Sequence, residues 1–191
     1  PDFSKLWNLQ NNGQTGGTAG ADISAVDGWK VTTGSNNIVV AIIDTGVDYT
    51  HEDLGPNMWT NKVECPQGYG KCVADGVDDD NNGYADDFHG INAVTGSGDP
   101  MDDYGHGTHV AGTLGAKGNN GVGVVGVDQN ISIVACKFLG ASGGGSVADA
   151  VKCFNYVNQL KNEQDINIVA TNNSWGGAGA AQALMEAMTG P

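Results

Sequence analysis

The sequence predicts an α/β domain with a mainly parallel sheet flanked by helices, and two observations support this. Residues 36–44, 131–139 and 166–174 are apolar runs with little polar alternation. Such runs are typical of strands that are buried on both faces of a parallel sheet. Between the second and third runs, apolar residues recur at helical spacing. The order strand, helix, strand favours right-handed crossovers in an α/β fold.

The helices are predicted from capping signals and apolar spacing. Residues 24–27, Ser-Ala-Val-Asp, resemble a capping box that opens a short helix, with Gly34 just past its end. A helix of small residues begins near His106, and a longer one starts at Ser146. A last helix is expected over residues 178–188. The helix after Ser146 places its apolar residues at Val147, Ala150, Val151, Phe154, Val157 and Leu160.

Length and charge limit the classes of function. With 191 residues the chain is long enough for one domain with a sizeable core. Its net charge of −14 comes from 22 acidic against 8 basic side chains, which argues against a nucleic-acid partner. No apolar run is long enough to span a bilayer, so no membrane partner is expected. Pro1 in place of Met suggests a processed or trimmed N-terminus.

The four cysteines suggest an oxidising compartment. Cys65 and Cys72 bracket a short loop, while Cys136 ends a predicted strand and Cys153 lies on the helix that follows. We interpret both pairs as disulfides, and therefore expect a secreted protein. Buried free thiols are an alternative for the second pair. Neither pair has the spacing of a metal site.

The carboxyl ends of the predicted strands carry the polar residues. Ligands of open α/β sheets bind outside these ends, where Asp44 and residues 140–145 and 174–176 all fall. Asp44 follows six consecutive apolar residues, so its carboxylate must be buried and must find donors. It either bonds the turn formed by Thr45 and Gly46 or holds an imidazole in one tautomer.

Three motifs in register resemble the subtilisin-like serine proteases. They are DTGVD at residues 44–48, GHGTHVAG at 105–112 and NSWGG at 173–177. The resemblance implies that Asp44 is the acid that orients the catalytic histidine and that His106 is the general base. His109 is then a histidine packed one turn further along the helix, since two histidines without a nearby glutamate make a weak metal site. Gly105 and Gly107 are expected to leave space for the reactants.

The same resemblance implies a peptide-binding cleft. Gly143, Gly144 and Gly145 resemble the edge segment that pairs with an extended substrate by β-augmentation. Ser174, Trp175 and Gly176 resemble the opposite wall of the cleft, with Trp175 able to line or narrow its pocket. A flexible linker is the alternative interpretation of the glycines, and a plain strand-end turn that of the second segment.

An acidic loop suggests a calcium site. Nine aspartates lie close together in the sequence: Asp75, Asp78, Asp79, Asp80, Asp86, Asp87, Asp99, Asp102 and Asp103. Residues 78–83 match the first half of an EF-hand loop, and the terminal glutamate of that motif is replaced by His89. A solvated loop is the alternative, but adjacent carboxylates repel one another unless a cation lies among them. The expected ligands are Asp78, Asp80, Asn82, the carbonyl of Tyr84, and Asp86 or Asp87.

A second calcium site is implied by the resemblance alone. The family often uses an aspartate shortly after the catalytic one, which corresponds to Asp53. Asn119 or Asn120, the carbonyls of Val122 and Val124, and Gln10 would complete the shell. The loop over residues 117–125 is one residue longer than the common pattern.

Two catalytic parts of the family have no counterpart in this sequence. The nucleophilic serine in a Gly-Thr-Ser-Met-Ala segment and the oxyanion asparagine are both expected outside the chain. Residues 1–191 are therefore expected to form the N-terminal part of a single subtilisin-like peptidase domain, with an acidic calcium-loop insertion at about residues 64–103. We expect this chain to be inactive alone and to act with a companion chain that carries the serine. The alternative is an inactive calcium- and peptide-binding module on the same fold.

Overall fold

A computed structural model describes residues 2–177 and 181–189. The helices are α1 (Ala25–Gly28), α2 (His106–Gly115), α3 (Val147–Glu163) and α4 (Gln182–Met188). The strands are β1 (Gly34–Asp44), β2 (Gly90–Asn92), β3 (Asn130–Lys137) and β4 (Ile168–Asn172). Two short 3-10 helices lie at Phe3–Lys5 and Gly55–Asn57.

The four strands form one parallel sheet in the order β2-β3-β1-β4. The central strand β1 is buried on both faces, as its apolar run predicts. Ala41 and Ile43 belong to a core that includes residues of α3, and Ile42 belongs to a second core that includes Ala111 of α2. The predicted α/β fold is confirmed, and the carboxyl ends of β1 and β3 meet at one edge of the sheet, where Asp44 pairs with Lys137.

Three expectations about the elements are wrong in detail. The capping box at Ser24 does not form, because Ser24 takes a left-handed conformation with φ of 57° and makes no side-chain cap. Gly34 does not end α1, which stops at Gly28, but begins β1. The third strand is not buried on both faces, because β4 lies at the edge of the described sheet and Val169 is 55% exposed.

The helix α3 largely follows its prediction. The Ser146 hydroxyl accepts a hydrogen bond from the Asp149 backbone N–H at 3.1 Å, which caps the first turn. Ala150, Phe154 and Leu160 are buried, whereas Val147 at the first turn is exposed. The last helix is present as α4, and residues 178–180 of its expected range lie outside the described residues.

Both predicted disulfides are present. Cys65–Cys72 closes the short loop, and Cys136–Cys153 joins β3 to α3, so the free-thiol alternative is wrong for the second pair. Within the described ranges, no helix has the length and apolar character needed to cross a membrane.

Candidate active site

Asp44 and His106 form a hydrogen-bonded pair. Asp44 ends β1 and is fully buried, and its Oδ1 lies 2.7 Å from His106 Nδ1. The same oxygen accepts a hydrogen bond from the Thr45 backbone N–H at 2.7 Å. Both interpretations of the buried carboxylate are therefore realised together. Oδ2 of Asp44 is buried and has no hydrogen-bond partner among the described residues.

His106 is the first residue of α2, and its side chain is 44% exposed. A carboxylate only accepts hydrogen bonds, so the contact with Asp44 requires the proton on His106 Nδ1. That tautomer leaves Nε2 as the acceptor of the ring, on an imidazole that lines an open groove. The site thus combines a fixed ring with an accessible basic nitrogen.

Of the two glycines beside His106, Gly107 serves backbone packing, whereas a Cβ on Gly105 would meet no atom within 4 Å. A Cβ on Gly107 would lie 2.1 Å from the Gly46 carbonyl oxygen and 3.1 Å from Asp44 Cβ. The Gly107 N–H donates to Thr45 Oγ1 at 2.8 Å, so the helix start rests directly on the turn after β1. Gly105 has a φ of 99°, a conformation that favours glycine. The space expected at Gly107 is therefore taken by a close contact of two backbones, and Gly105 leaves open space as expected.

Asp102 caps the helix that carries His106. Its Oδ1 accepts hydrogen bonds from the backbone N–H groups of Tyr104 and Gly105, and its Oδ2 accepts from the N–H and hydroxyl of Thr108. Burial alone would raise the pKa of Asp102, but these hydrogen bonds outweigh it and lower the pKa. Sequence analysis assigned Asp102 only to the acidic loop. Its position three residues before Gly105, the N-cap of α2, is the sequence feature that could have predicted this role.

Lys137 is a second residue that sequence analysis missed. It is 3% exposed, and its ammonium group donates to the carbonyl oxygens of Thr45 and Leu139 and pairs with Asp103 at 2.5 Å. These contacts join the turn after Asp44 to the chain leaving β3. The signal was a lone lysine in an otherwise apolar run, because such a buried charge needs several partners.

His109 is not packed in the interior, which corrects the expectation from the motif. It is exposed and lines a cavity of about 570 Å³ with His51 and Trp7. His109 follows about one turn further along the same helix, and three residues at a rise of 1.5 Å each carry it about 4.5 Å along the axis from His106. Within the described residues, only His106 of these two contacts Asp44.

A groove of about 490 Å³ passes His106 and is lined by both predicted peptide-binding segments. Gly143, Gly144 and Gly145 lie along it together with Ser174, Trp175 and Gly176. Gly145 forms an antiparallel bridge with Leu139, and the Gly140 N–H donates to the Gly144 carbonyl. The glycine segment is thus a structured turn and not a free linker.

The second wall of the groove is held by side-chain hydrogen bonds. Trp175 Nε1 donates to the Ile43 carbonyl at 2.8 Å, and its ring packs edge-on against Phe138. The Ser174 hydroxyl donates to Asn172 Oδ1 at 2.8 Å. Trp175 is therefore anchored to the sheet beside the strand that ends in Asp44.

The acidic loop forms a carboxylate cluster with a different membership from the predicted one. Glu64, Asp78 and Asp80 each place an oxygen within 4.8 Å of the others. Of the four aspartates predicted as ligands, the structure brings only Asp78 and Asp80 together. Glu64 was missed because it lies fourteen residues before Asp78, outside the run of acids. Its carboxylate accepts hydrogen bonds from the N–H groups of residues 79, 80 and 86.

The remaining predicted ligands of this loop are used for other contacts. Asp86 accepts hydrogen bonds from the N–H groups of residues 75 and 76, and Asn82 Oδ1 accepts from the Tyr84 N–H. Asp87 is fully buried and accepts from Asn61, Asn82 and the Tyr156 hydroxyl. Burial raises the pKa of Asp87 to about 7, against the effect of these hydrogen bonds. Asp87 therefore ties the loop to α3.

The carboxylate cluster is compatible with a calcium ion. Each carboxylate has about four acceptor positions, so the backbone N–H bonds at Glu64 and Asp78 leave lone pairs for a cation. Asp80 accepts four hydrogen bonds from Asn61, Asn82 and Gln164 and would have to release one of them to bind the ion. A shell of hard oxygen ligands on a flexible loop suits Ca²⁺ better than Mg²⁺.

The residues of the second predicted calcium site also lie close together. Asp53 is 2% exposed, and its two oxygens accept from Asn120 Nδ2 at 2.7 Å and the Val124 N–H at 2.8 Å. Of the two asparagines named as alternatives, Asn120 makes this contact, and Asn119 takes a left-handed turn position with φ of 61°. Gln10, Asn119, Val122 and Val124 line an adjacent cavity of about 660 Å³. As arranged here, each oxygen of the Asp53 carboxylate accepts one hydrogen bond from the protein and keeps a further acceptor position.

Comparison with known proteins identifies the family. The model of the Subtilase family matches residues 35–190. The chain belongs to the subtilase family. This subtilase is 44% identical over 140 residues to subtilisin-like protease 1 of Plasmodium vivax, covering 72% of this chain and 21% of the relative. It is 34% identical to a thermophilic serine proteinase of Bacillus sp. strain AK1, covering 81% of this chain and 31% of that protein.

A solved structure shares the fold of this subtilase. The crystal structure of a cold adapted subtilisin-like serine proteinase matches with a TM-score of 0.54 and 27% identity. The match covers 81% of this chain and 43% of that one. The chain thus spans between about a fifth and less than half of these three proteins. The subtilisin-like fold class predicted from the sequence is confirmed.

Proposed function

We propose that this chain supplies the acid and the general base of a serine endopeptidase, whose serine and oxyanion asparagine come from outside these 191 residues. The observation that carries the proposal is the 2.7 Å contact between the buried Asp44 carboxylate and His106 Nδ1 beside the groove. The serine would lie on a companion chain or on further polypeptide. Family membership supports the reaction class.

The reaction follows from the tautomer of His106. Its Nε2 takes the proton of the serine hydroxyl while the serine oxygen attacks the peptide carbonyl. The resulting imidazolium gives that proton to the leaving amine, which departs and leaves an acyl-enzyme. A water molecule, deprotonated by His106 Nε2, then attacks the acyl-enzyme, and the proton returns to the serine oxygen as the carboxylic acid product leaves. Asp44 holds the ring and stabilises its positive form without taking the proton.

The groove would hold an extended peptide between two backbone segments. Residues 143–145 would pair with it as an edge strand, which provides main-chain hydrogen bonds independent of sequence. Residues 174–176 would form the opposite wall, beside the side chain that precedes the cut. The placement of both segments along one groove with His106 supports this role.

Calcium would stabilise the protein rather than react. Glu64, Asp78 and Asp80 would hold one ion, and the loop around Asp53 and Asn120 a second after its hydrogen bonds rearrange. A bound ion would neutralise the carboxylates and fix the long loop against α3. The two disulfides support a secreted, oxidised location, where calcium is abundant.

Labelling with a serine-directed fluorophosphonate tests the proposal on the complete protease, meaning this chain with the polypeptide that carries the serine. We expect label on a serine outside residues 1–191, abolished by His106→Ala and retained by the matched variant His109→Ala. Label within residues 1–191 would contradict the division of the triad. If the complete protein takes no label, it is instead a calcium- and peptide-binding module.

A further inference from the structure

Lys137 is the only buried lysine among the residues that the structure describes. It is 3% exposed, and it ends β3 beside Asp44, its pairing partner at the end of β1. A buried ammonium group is costly unless its protons find acceptors with good geometry. The acceptors of Lys137 therefore indicate which parts of the fold this charge holds together.

The ammonium group of Lys137 has one acceptor for each of its three protons. Nζ donates to the carbonyl oxygen of Thr45 at 2.7 Å and to that of Leu139 at 2.8 Å, and it pairs with the carboxylate of Asp103. Each acceptor belongs to a different segment: the turn after Asp44, the chain leaving β3, and the residues that lead into α2. Lys137 thus joins three segments around the candidate active site.

Thr45 connects Lys137 to the acid of the dyad. The Thr45 N–H donates to Asp44 Oδ1 at 2.7 Å, and Thr45 Oγ1 accepts from the Gly107 N–H at 2.8 Å. Through its carbonyl the same residue accepts from Lys137. A shift of Thr45 would therefore move the Asp44 carboxylate relative to the helix that carries His106.

Asp103 connects Lys137 to the base of the dyad. It lies three residues before His106, the first residue of α2. Its side chain is 51% exposed, so solvent on its open side gives it no fixed position. The pairing with a buried ammonium group supplies one, because a desolvated charge binds its counter-ion more firmly than an exposed charge does. Lys137 thus contacts the chain next to Asp44 and the chain next to His106.

We propose that Lys137 is a positioning residue, which holds the turn after Asp44 and the segment before His106 in the arrangement that proton transfer needs. This inference rests on the proposed function, because it assigns the proton transfer to that dyad. The glycine segment of the groove depends less on Lys137, since Leu139 bridges to Gly145 and the segment has its own hydrogen bond. Loss of Lys137 should therefore lower kcat and leave KM nearly unchanged.

The test uses Lys137→Met, which removes the charge and keeps the length of the side chain. In the complete protease we expect kcat, corrected for the folded fraction, to fall at least about tenfold while KM changes less than about threefold. The control variant Lys30→Met removes an exposed lysine that pairs with Asp27, and it should leave both constants unchanged. An unchanged kcat in Lys137→Met, or a KM that rises as much as kcat falls, would overturn the inference.

A second variant keeps the inference testable if Lys137→Met does not fold. Asp103→Ala removes the exposed partner and leaves both carbonyl contacts of Lys137 in place. We expect kcat to fall at least about threefold with KM nearly unchanged, because the segment before His106 loses its anchor. A kcat equal to that of the wild type would overturn the inference.

The proton NMR signal of His106 Nδ1–H separates this inference from the proposed function, because it requires no cleavage. In Lys137→Met or Asp103→Ala this proton should exchange with solvent faster than in the wild type, and Lys30→Met should leave the exchange unchanged. Equal exchange in all four proteins would refute the role of Lys137. If no peptide is cut and the exchange still differs, the proposed function fails and the positioning of His106 by Lys137 stands.

Discussion

Two glycines of α2 provide a matched test of how the helix meets the strand. A Cβ on Gly107 would lie 2.1 Å from the Gly46 carbonyl oxygen, a backbone atom that cannot move without moving the turn after Asp44. A Cβ on Gly112, in the same helix, would meet no atom within 4 Å. Alanine gains about 1 kcal/mol over glycine in a helix interior, where Gly112 lies, and no more than that in the first turn, where Gly107 lies. The main difference between the two variants is the contact made by the new methyl group.

The expected difference follows from the cost of overpacking. Forcing an extra methyl group into a packed contact costs about 1–3 kcal/mol. Gly112→Ala should then raise the free energy of unfolding by about 1 kcal/mol, and Gly107→Ala should lie about 1–3 kcal/mol below Gly112→Ala. Urea unfolding of both variants measures this directly. Equal stability of the two would refute the close contact between α2 and the end of β1.

Two further predictions concern the carboxylates. Asp102→Ala should lower the free energy of unfolding at neutral pH by about 0.5–2 kcal/mol through loss of the helix cap. Because the pKa of Asp102 is lowered in the folded state, this difference in stability from the wild type should disappear as the pH falls below about 4. A difference that persists in acid would contradict this account. Glu64→Gln should weaken calcium binding by at least about tenfold, and the exposed control variant Glu52→Gln should leave calcium binding unchanged. The calcium-dependent rise in Tm measures the binding. A full response in Glu64→Gln, or none in the wild type, would argue against calcium at the cluster.

The elements predicted well from the sequence are those with strong local patterns. The apolar run of β1 requires burial on both faces, and the spacing after Ser146 together with its cap defines α3. The single turn α1 and the three-residue β2 are too short for such a signal, and β2 was not predicted at all. The burial of β4 depends on what lies beside it, which the pattern of its own residues does not contain.

The candidate site shows the same division between local and long-range information. Asp44 and His106 belong to motifs that resemble the family, so their pairing could be predicted from the sequence although they lie 62 positions apart. Glu64 joins Asp78 and Asp80 through the folding of a long loop, and neither its neighbours nor its spacing indicates this. Gly107 of the histidine motif was assigned to the reactants, because sequence alone does not show that the turn after β1 lies against it.

The most direct test of the proposed dyad is the proton NMR signal of the His106 Nδ1–H. A proton held between the ring and the buried Asp44 carboxylate should give a far-downfield resonance, protected from exchange with solvent. We expect it in the wild type and in His109→Ala, and we expect it to disappear in Asp44→Ala. A resonance that survives in Asp44→Ala, or that is lost in His109→Ala, would show that another group holds the imidazole, and the assignment of acid and base would be wrong.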